Sequence, residues 1–121
     1  MVKLVILIEP LENWQKFEAS WPQFLHYAEE MPGLQREAAS QIDSMLYGNS
    51  SYILMHELFF TSQEDAQRAM ASLNGQAAGR LLQQITDGKL VLFFADYKED
   101  NIENLKRFKQ ESAGNPKDDQ A

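Results

Sequence analysis

Three runs of the chain are apolar on both of their alternating faces. They are Val2–Ile8 (VKLVILI), Tyr52–Phe60 (YILMHELFF) and Lys89–Tyr97 (KLVLFFADY). Each is short and rich in branched and aromatic residues, which predicts a strand. A fourth run, Leu34–Leu46 (LQREAASQIDSML), alternates and is more polar. It predicts an edge or half-exposed strand, bulged or irregular over its length. The turn residues of Tyr47-Gly48-Asn49-Ser50-Ser51 join it to the next strand as a hairpin.

Helical spacing fills the gaps. From about Glu12 to Glu30, Trp14, Phe17, Trp21, Phe24, Leu25 and Ala28 fall on one face. Pro22 inside that stretch removes a backbone donor and crowds the carbonyl of Glu18, so a kink or two short helices are expected. Met31-Pro32-Gly33 ends it. Thr61-x-x-Glu64 is a capping-box pattern that starts a helix with Ala66, Ala69, Met70 and Leu73 inward. Asn74-Gly75 is expected to stop or bend this helix. A further helical stretch runs over Gln76–Ile85, and Asp87-Gly88 turns into the last strand.

The resulting order is strand, helix, strand, strand, helix, strand. It predicts an α+β chain with the ferredoxin-like βαββαβ fold: a four-stranded antiparallel sheet with helices on one face. Residues 1–97 form this domain. Residues 98–121 form a polar C-terminal helix and tail, with Ile102, Leu105 and Phe108 as a narrow stripe and a disordered end after Ser112.

An antiparallel sheet of this kind should be polar on its uncovered face. Here Ile53, Met55, Glu57 and Phe59 oppose Tyr52, Leu54, His56, Leu58 and Phe60, and Val91, Phe93, Ala95 and Tyr97 oppose Leu90, Leu92 and Phe94. Both faces are apolar, and one chain has helices for only one of them. A second copy packed sheet to sheet is the economical cover, which predicts a homodimer with Glu57, Phe59 and Phe93 at the interface.

Composition narrows function by exclusion. The chain of 121 residues is one domain, and its formal charge of −7 argues against a nucleic-acid partner. It has no cysteine and two histidines, so thiol chemistry is absent and no metal constellation is visible. The Gly75–Gly79 segment lacks the lysine and hydroxyl of a phosphate loop and is no dinucleotide fingerprint, so no cofactor is expected. The run Leu4–Ile8 is far short of the ~20 residues of a membrane span. No membrane partner is expected, and the expected location is cytoplasmic.

The start MVKLVILI, the helix ending in Met31-Pro32-Gly33-Leu34, the strand Tyr52–Phe60 followed by Thr61-Ser62-Gln63-Glu64-Asp65-Ala66, and the segment NGQAAGRLLQQITDGKLVLFFADY together resemble the EthD-like family of the dimeric α+β barrel superfamily. The resemblance covers roughly residues 1–97. It implies a ferredoxin-like protomer, a barrel closed by two sheets, and a pocket between each sheet and its helices. Relatives include cofactor-independent monooxygenases, lactone isomerases, polyketide cyclases and haem-degrading enzymes, and the EthD-like branch is mostly uncharacterised. Relatives often carry a His on the first helix with a Pro two residues later. Those slots hold Phe24 and His26 here, so the pocket should be more apolar.

The candidate chemistry is correspondingly sparse. His56, mid-strand, would act as a general base or polarise a carbonyl, with Tyr52 on its face and His26 as a further candidate if the Pro22 kink rotates it inward. A satisfied core histidine is the plainer reading of His56. Trp21, Phe24 and Tyr27 would line an apolar ligand pocket, or simply belong to the core. Glu57, between Met55 and Phe59, requires a partner such as Lys3, Arg36 or a group across the dimer. Asp96, at a strand end, is read as solvated. Two functions follow: a cofactor-independent enzyme of monooxygenase or isomerase type acting on a small hydrophobic metabolite, or a non-catalytic small-molecule-binding or structural dimer. A deep pocket where His56 meets another polar group favours the first, and an apolar interior favours the second.

Overall fold

The computed structural model describes residues 1–99. Its elements run β1 (Val2–Ile8), α1 (Trp14–Glu29), β2 (Leu34–Gln41), β3 (Leu54–Phe60), α2 (Gln63–Ala71), α3 (Leu73–Thr86) and β4 (Leu90–Asp96). The strands form one sheet in the order β2-β3-β1-β4, with every neighbouring pair antiparallel. This is the ferredoxin-like α+β arrangement. The stripe of Ile102, Leu105 and Phe108, and the tail beyond it, lie outside the described residues.

One face of the sheet carries the core. Leu4, Ile6 and Ile8 of β1 and Leu58 and Phe60 of β3 pack against Phe17, Phe24 and Ala28 of α1, Ala66 and Ala69 of α2, and Ala78, Leu82 and Ile85 of α3. His56 shares this face, because β-strand side chains alternate and Leu58 is two residues on.

Five local features differ from the sequence expectation. Helix α1 runs unbroken through Pro22 instead of splitting. A proline within a helix costs ~3 kcal/mol, but each of Phe17 and Phe24 contributes about 1.5–3 kcal/mol on burial, and they lie on opposite sides of Pro22 in sequence. Only a continuous helix delivers both to the core. The N-cap of α2 is Ser62, not Thr61: its backbone is extended and its Oγ accepts from Asp65 N at 3.1 Å. The break between α2 and α3 comes at Ser72, ahead of Asn74-Gly75. Ser72 Oγ donates to Ala69 O at 2.6 Å and accepts from Gly75 N at 3.0 Å, so one hydroxyl closes one helix and opens the next. Tyr52 lies outside β3, which begins at Leu54, and β2 ends at Gln41 with the long connection following.

Strand β2 is an edge strand, as its alternation predicted, and it is bulged. Leu34 pairs with Phe60 and Arg36 with Phe59, so the register shifts at Gln35. The extra residue inverts the faces beyond it. Strict alternation from Leu34 would send Arg36 toward the helices and Glu37 away. The bulge does the opposite, pairing Glu37 with Leu58 and Ala39 with His56.

The far face of the sheet has no helix over it among the described residues. One end of it is closed by the chain's own side chains. The Arg36 guanidinium lies 4.0 Å from the Phe59 ring centre and donates to the Tyr97 hydroxyl at 3.2 Å, and Lys3 Nζ sits 2.5 Å from Glu57 Oε2. Phe59 and Glu57 are therefore already covered within the protomer. The other end is open: Val91 and Phe93 of β4 remain 37% and 43% exposed.

Candidate functional site

Helix α1 places a ladder of rings across one end of the sheet. Trp14, Phe17, Trp21 and Phe24 follow at intervals of three and four residues, which share one face of a helix. Their successive ring centres are 4.8, 4.9 and 4.8 Å apart, and all three pairs are stacked. Between this ladder and the ends of β2 and β3 lies a cleft of about 670 Å³. Trp14, Phe17, Trp21 and Pro22 form its helical wall, and Ile42, Ile53 and Leu54 its sheet wall. Glu18 and Gln41 supply its polar side chains. The Glu18 carboxylate accepts a hydrogen bond from the Trp14 indole N–H. The size suits a small organic ligand.

His56 stands behind this wall and does not line it. Trp21, which does, meets the imidazole edge-on at 5.4 Å between ring centres, and Phe24 does so at 6.2 Å. The imidazole is only 2% exposed. Its Nε2 lies 3.1 Å from Glu37 Oε2, the diagonal neighbour across the β2–β3 ladder. Burial pushes the His56 pKa below its ordinary value, against the opposing pull of Glu57 and Glu29. The ring is therefore neutral near pH 7, and because a carboxylate only accepts, its one proton sits on Nε2. Nδ1 is left as a bare lone pair, buried and without a hydrogen-bond partner among the described residues. Such an atom costs on the order of 1–3 kcal/mol. Among the described residues one ring nitrogen of His56 is partnered and the other is not.

The remaining predicted residues separate. Trp21 lines the cleft. Phe24 instead borders a second cavity of about 20 Å³, room for one water at most, with Leu4, Ile6 and Leu82 around it. Tyr27 is half-buried against the core and lines neither. His26 points outward beside Tyr27, because the unbroken α1 never rotates it inward. Tyr52 borders a different surface depression with Glu9, Pro10 and the 49–51 turn. It is not brought to His56. Asp96 is exposed.

Two carboxylates were missed. Glu37 reaches His56 only because of the bulge at Gln35, and nothing in the alternation of β2 located that bulge. Glu29, at the exposed C-terminal end of α1, neighbours the Glu37 carboxyl, whose hydrogen-bonding and repulsion hold the Glu29 pKa above the ordinary carboxylate value. The one sequence signal available was negative charge near the Met31-Pro32-Gly33 turn, which also fits a solvated helix end.

No protein-family model matches the chain, and no curated protein does. Solved structures do. An ethyl tert-butyl ether degradation (EthD) family protein from Bacillus halodurans is 28% identical, with a TM-score of 0.73 over 81% of this chain and 99% of its own. A dimeric ferredoxin-like protein of unknown function from Jannaschia sp. is 15% identical, with a TM-score of 0.63 over 79% of this chain and 98% of its own. SnoaB of Streptomyces nogalater, a cofactor-independent oxygenase, is 14% identical, with a TM-score of 0.60 over 84% and 96% of the two chains. The last two likenesses establish the fold. Among the described residues no helix is long and apolar enough to cross a membrane.

Proposed function

We propose that this chain, an EthD-like protein with the ferredoxin-like protomer fold of the dimeric α+β barrels, is a homodimeric, cofactor-independent enzyme of monooxygenase or isomerase type. It takes a small, flat, apolar molecule into the cleft beside α1, with His56 as the general base once the Trp21 ring turns aside to let the ligand reach it, and it does so in the cytoplasm. The observation that carries this reading is the bare, buried Nδ1 of His56 set directly behind Trp21, a wall of the cleft. A stacked aromatic wall favours a planar ligand over an aliphatic one. A base at this position suits a ligand with a weakly acidic O–H or C–H group, such as a phenol or hydroquinone.

The homodimer is inferred from the open end of the far sheet face and from β4. Leu92 and Phe94, on the helix side of that edge strand, are 45% and 40% exposed, so β4 is uncovered on both sides. Solved relatives of the same fold from Jannaschia sp. and Bacteroides fragilis are described as dimeric. Phe93 is the interface residue best placed for that contact, with Phe59 and Glu57 ordering the surface beneath it through Arg36 and Lys3.

Both tryptophans of the chain, Trp14 and Trp21, line the cleft, so intrinsic fluorescence reports on its occupant. Titration with naphthols and hydroquinones is expected to quench the parent protein. Trp21→Ala should weaken binding roughly tenfold or more, the loss of one stacking surface with its buried area. Consumption of the bound compound in air, abolished by His56→Phe, supports the enzyme. The apolar cleft wall favours a second reading, non-catalytic binding, and quenching without turnover or any change in the His56 resonances would establish that instead. Absence of quenching by every compound overturns both.

A further inference from the structure

The connection between β2 and β3 carries large apolar side chains in open water beside the cleft. Leu46 is 98% and Tyr47 95% exposed, and Met45 just before them is 43% exposed. Scattered exposed apolar residues are ordinary, but an unbroken run of them marks a binding surface. The connection rises from the cleft itself. Its stems, Ile42 and Ile53, belong to the sheet wall, and the Ile42 N–H donates to the Ile53 carbonyl at 3.0 Å to close its base. Among the described residues, none from 43 to 52 takes part in a hydrogen bond or ion pair.

The two legs of the connection differ. Residues 49–52 border a depression with Glu9 and Pro10, whereas 45–47 are exposed. Gly48 stands between the legs at φ +110°, a backbone conformation open to glycine, and a Cβ there would meet nothing within 4 Å. The apolar leg can pivot at this point without breaking a hydrogen bond. Five residues from a stem to the tip reach up to roughly 17 Å, beyond the ~9 Å edge of a cube with the cleft's volume of about 670 Å³.

We propose that Leu46 and Tyr47 are ligand-binding residues of the cleft: the connection folds over its mouth and lays both side chains on an occupant already stacked on the α1 rings. This rests on the reading of the cleft as the ligand site and turns an open groove into an enclosed one. The stems of the connection already belong to the cleft, whereas the open end of the far face lies on β4, at the opposite edge of the sheet from β2. Closure buries two side chains that water otherwise surrounds. It also shields the occupant from water and adds the Tyr47 hydroxyl to a site whose own polar side chains are Glu18 and Gln41. A planar ligand that carries a hydroxyl is the chemistry this enclosure fits.

Chymotrypsin, which cuts after Tyr and Leu in exposed segments, reads the position of the connection in the full chain. The ligand-free parent is expected to be cut first after Leu46 or Tyr47. Saturating 2-naphthol, with binding followed by quenching of Trp14 and Trp21, should slow that cut severalfold, and a small peptide substrate controls for any effect on the protease. The double variant Leu46→Ser, Tyr47→Ser changes two almost fully exposed positions, so it should fold and sediment as the parent does. It should bind 2-naphthol roughly tenfold more weakly. Quenching with undiminished cleavage, or with unchanged affinity in the double variant, overturns the closure and leaves the cleft as a binding site. A connection that resists cleavage without ligand, or a double variant that loses the dimer, places Leu46 and Tyr47 on the second copy and equally overturns the closure. Absence of quenching by every compound overturns the reading of the cleft itself and the closure with it, so the two failures are distinct.

Discussion

Mild acid should destabilise this protein through His56 before its carboxylates contribute. The folded state depresses the His56 pKa by burial, while the unfolded chain restores it to about 6.5. The unfolded state therefore binds a proton that the folded state refuses, and stability must fall as pH falls through that value. If the folded imidazole stays neutral throughout, lowering the pH from about 7.5 to about 5.5 costs roughly 1.4 kcal/mol per chain. In a domain of this size that corresponds to a drop of ~4–8 °C in midpoint. His56→Phe keeps a flat ring between Trp21 and Phe24 and removes the titration. Its Glu37 neighbour, 29% exposed at its side chain, can be solvated. Urea unfolding of both proteins across that window, at one fixed protein concentration because assembly adds its own term, isolates the effect. The parent's stability should decline relative to the variant. Parallel curves, or a parent that gains stability on acidification, would refute the claim that burial governs this imidazole. Glu29 acts in the opposite direction. Its raised pKa contributes stability below the ordinary carboxylate value of 4.5 that is lost as pH rises through the folded value. It is common to both proteins and drops out of the comparison.

Two further outcomes bear on the assembly and on the fold. Phe93→Glu places a charge on the open end of the far face, and in a two-fold interface it does so twice. Each buried Phe is worth about 1.5–3 kcal/mol, so sedimentation should show a monomer where the parent is a dimer, and an undiminished dimer would locate the contact elsewhere. Gly75→Ala adds a Cβ 2.1 Å from the Ala69 carbonyl oxygen, a backbone atom. The ~1 kcal/mol that alanine gains as a helix former is outweighed by overpacking of ~1–3 kcal/mol, so thermal unfolding should occur at lower temperature. A rise in midpoint would show that the α2–α3 corner yields easily.

Much of the architecture was readable residue by residue. The doubly apolar runs of β1, β3 and β4 and the ring spacing of α1 are local patterns, and local patterns determine which segments are strands or helices and which residues can share a face. The same patterns placed His56 on one face with Leu58 and Phe60, and Glu57 on the other. They also showed that one chain has too few helices for two apolar faces. What a pattern cannot carry is a choice between competing local terms. Pro22 was expected to kink α1 or split it in two, and the burial of Phe17 and Phe24 on either side of it keeps it one helix. Ser72 took the helix break from Asn74-Gly75 because one hydroxyl there serves two helix ends at once.

The candidate site depended on tertiary structure more than the fold did. The sequence by itself singled out His56 as the better histidine and left Trp21 as either a pocket-lining ring or part of the core. It could not say that His56 lies behind Trp21, or that Tyr52 and His26 point elsewhere. Glu37 is the sharpest case. Its face is set by a single extra residue at Gln35, and a one-residue change of register reverses every side chain after it. Its distance from His56 follows from pairing between strands that the sequence separates by a long loop. Composition and alternation determine what a strand can bury; the register of its neighbours determines which of its polar groups meet.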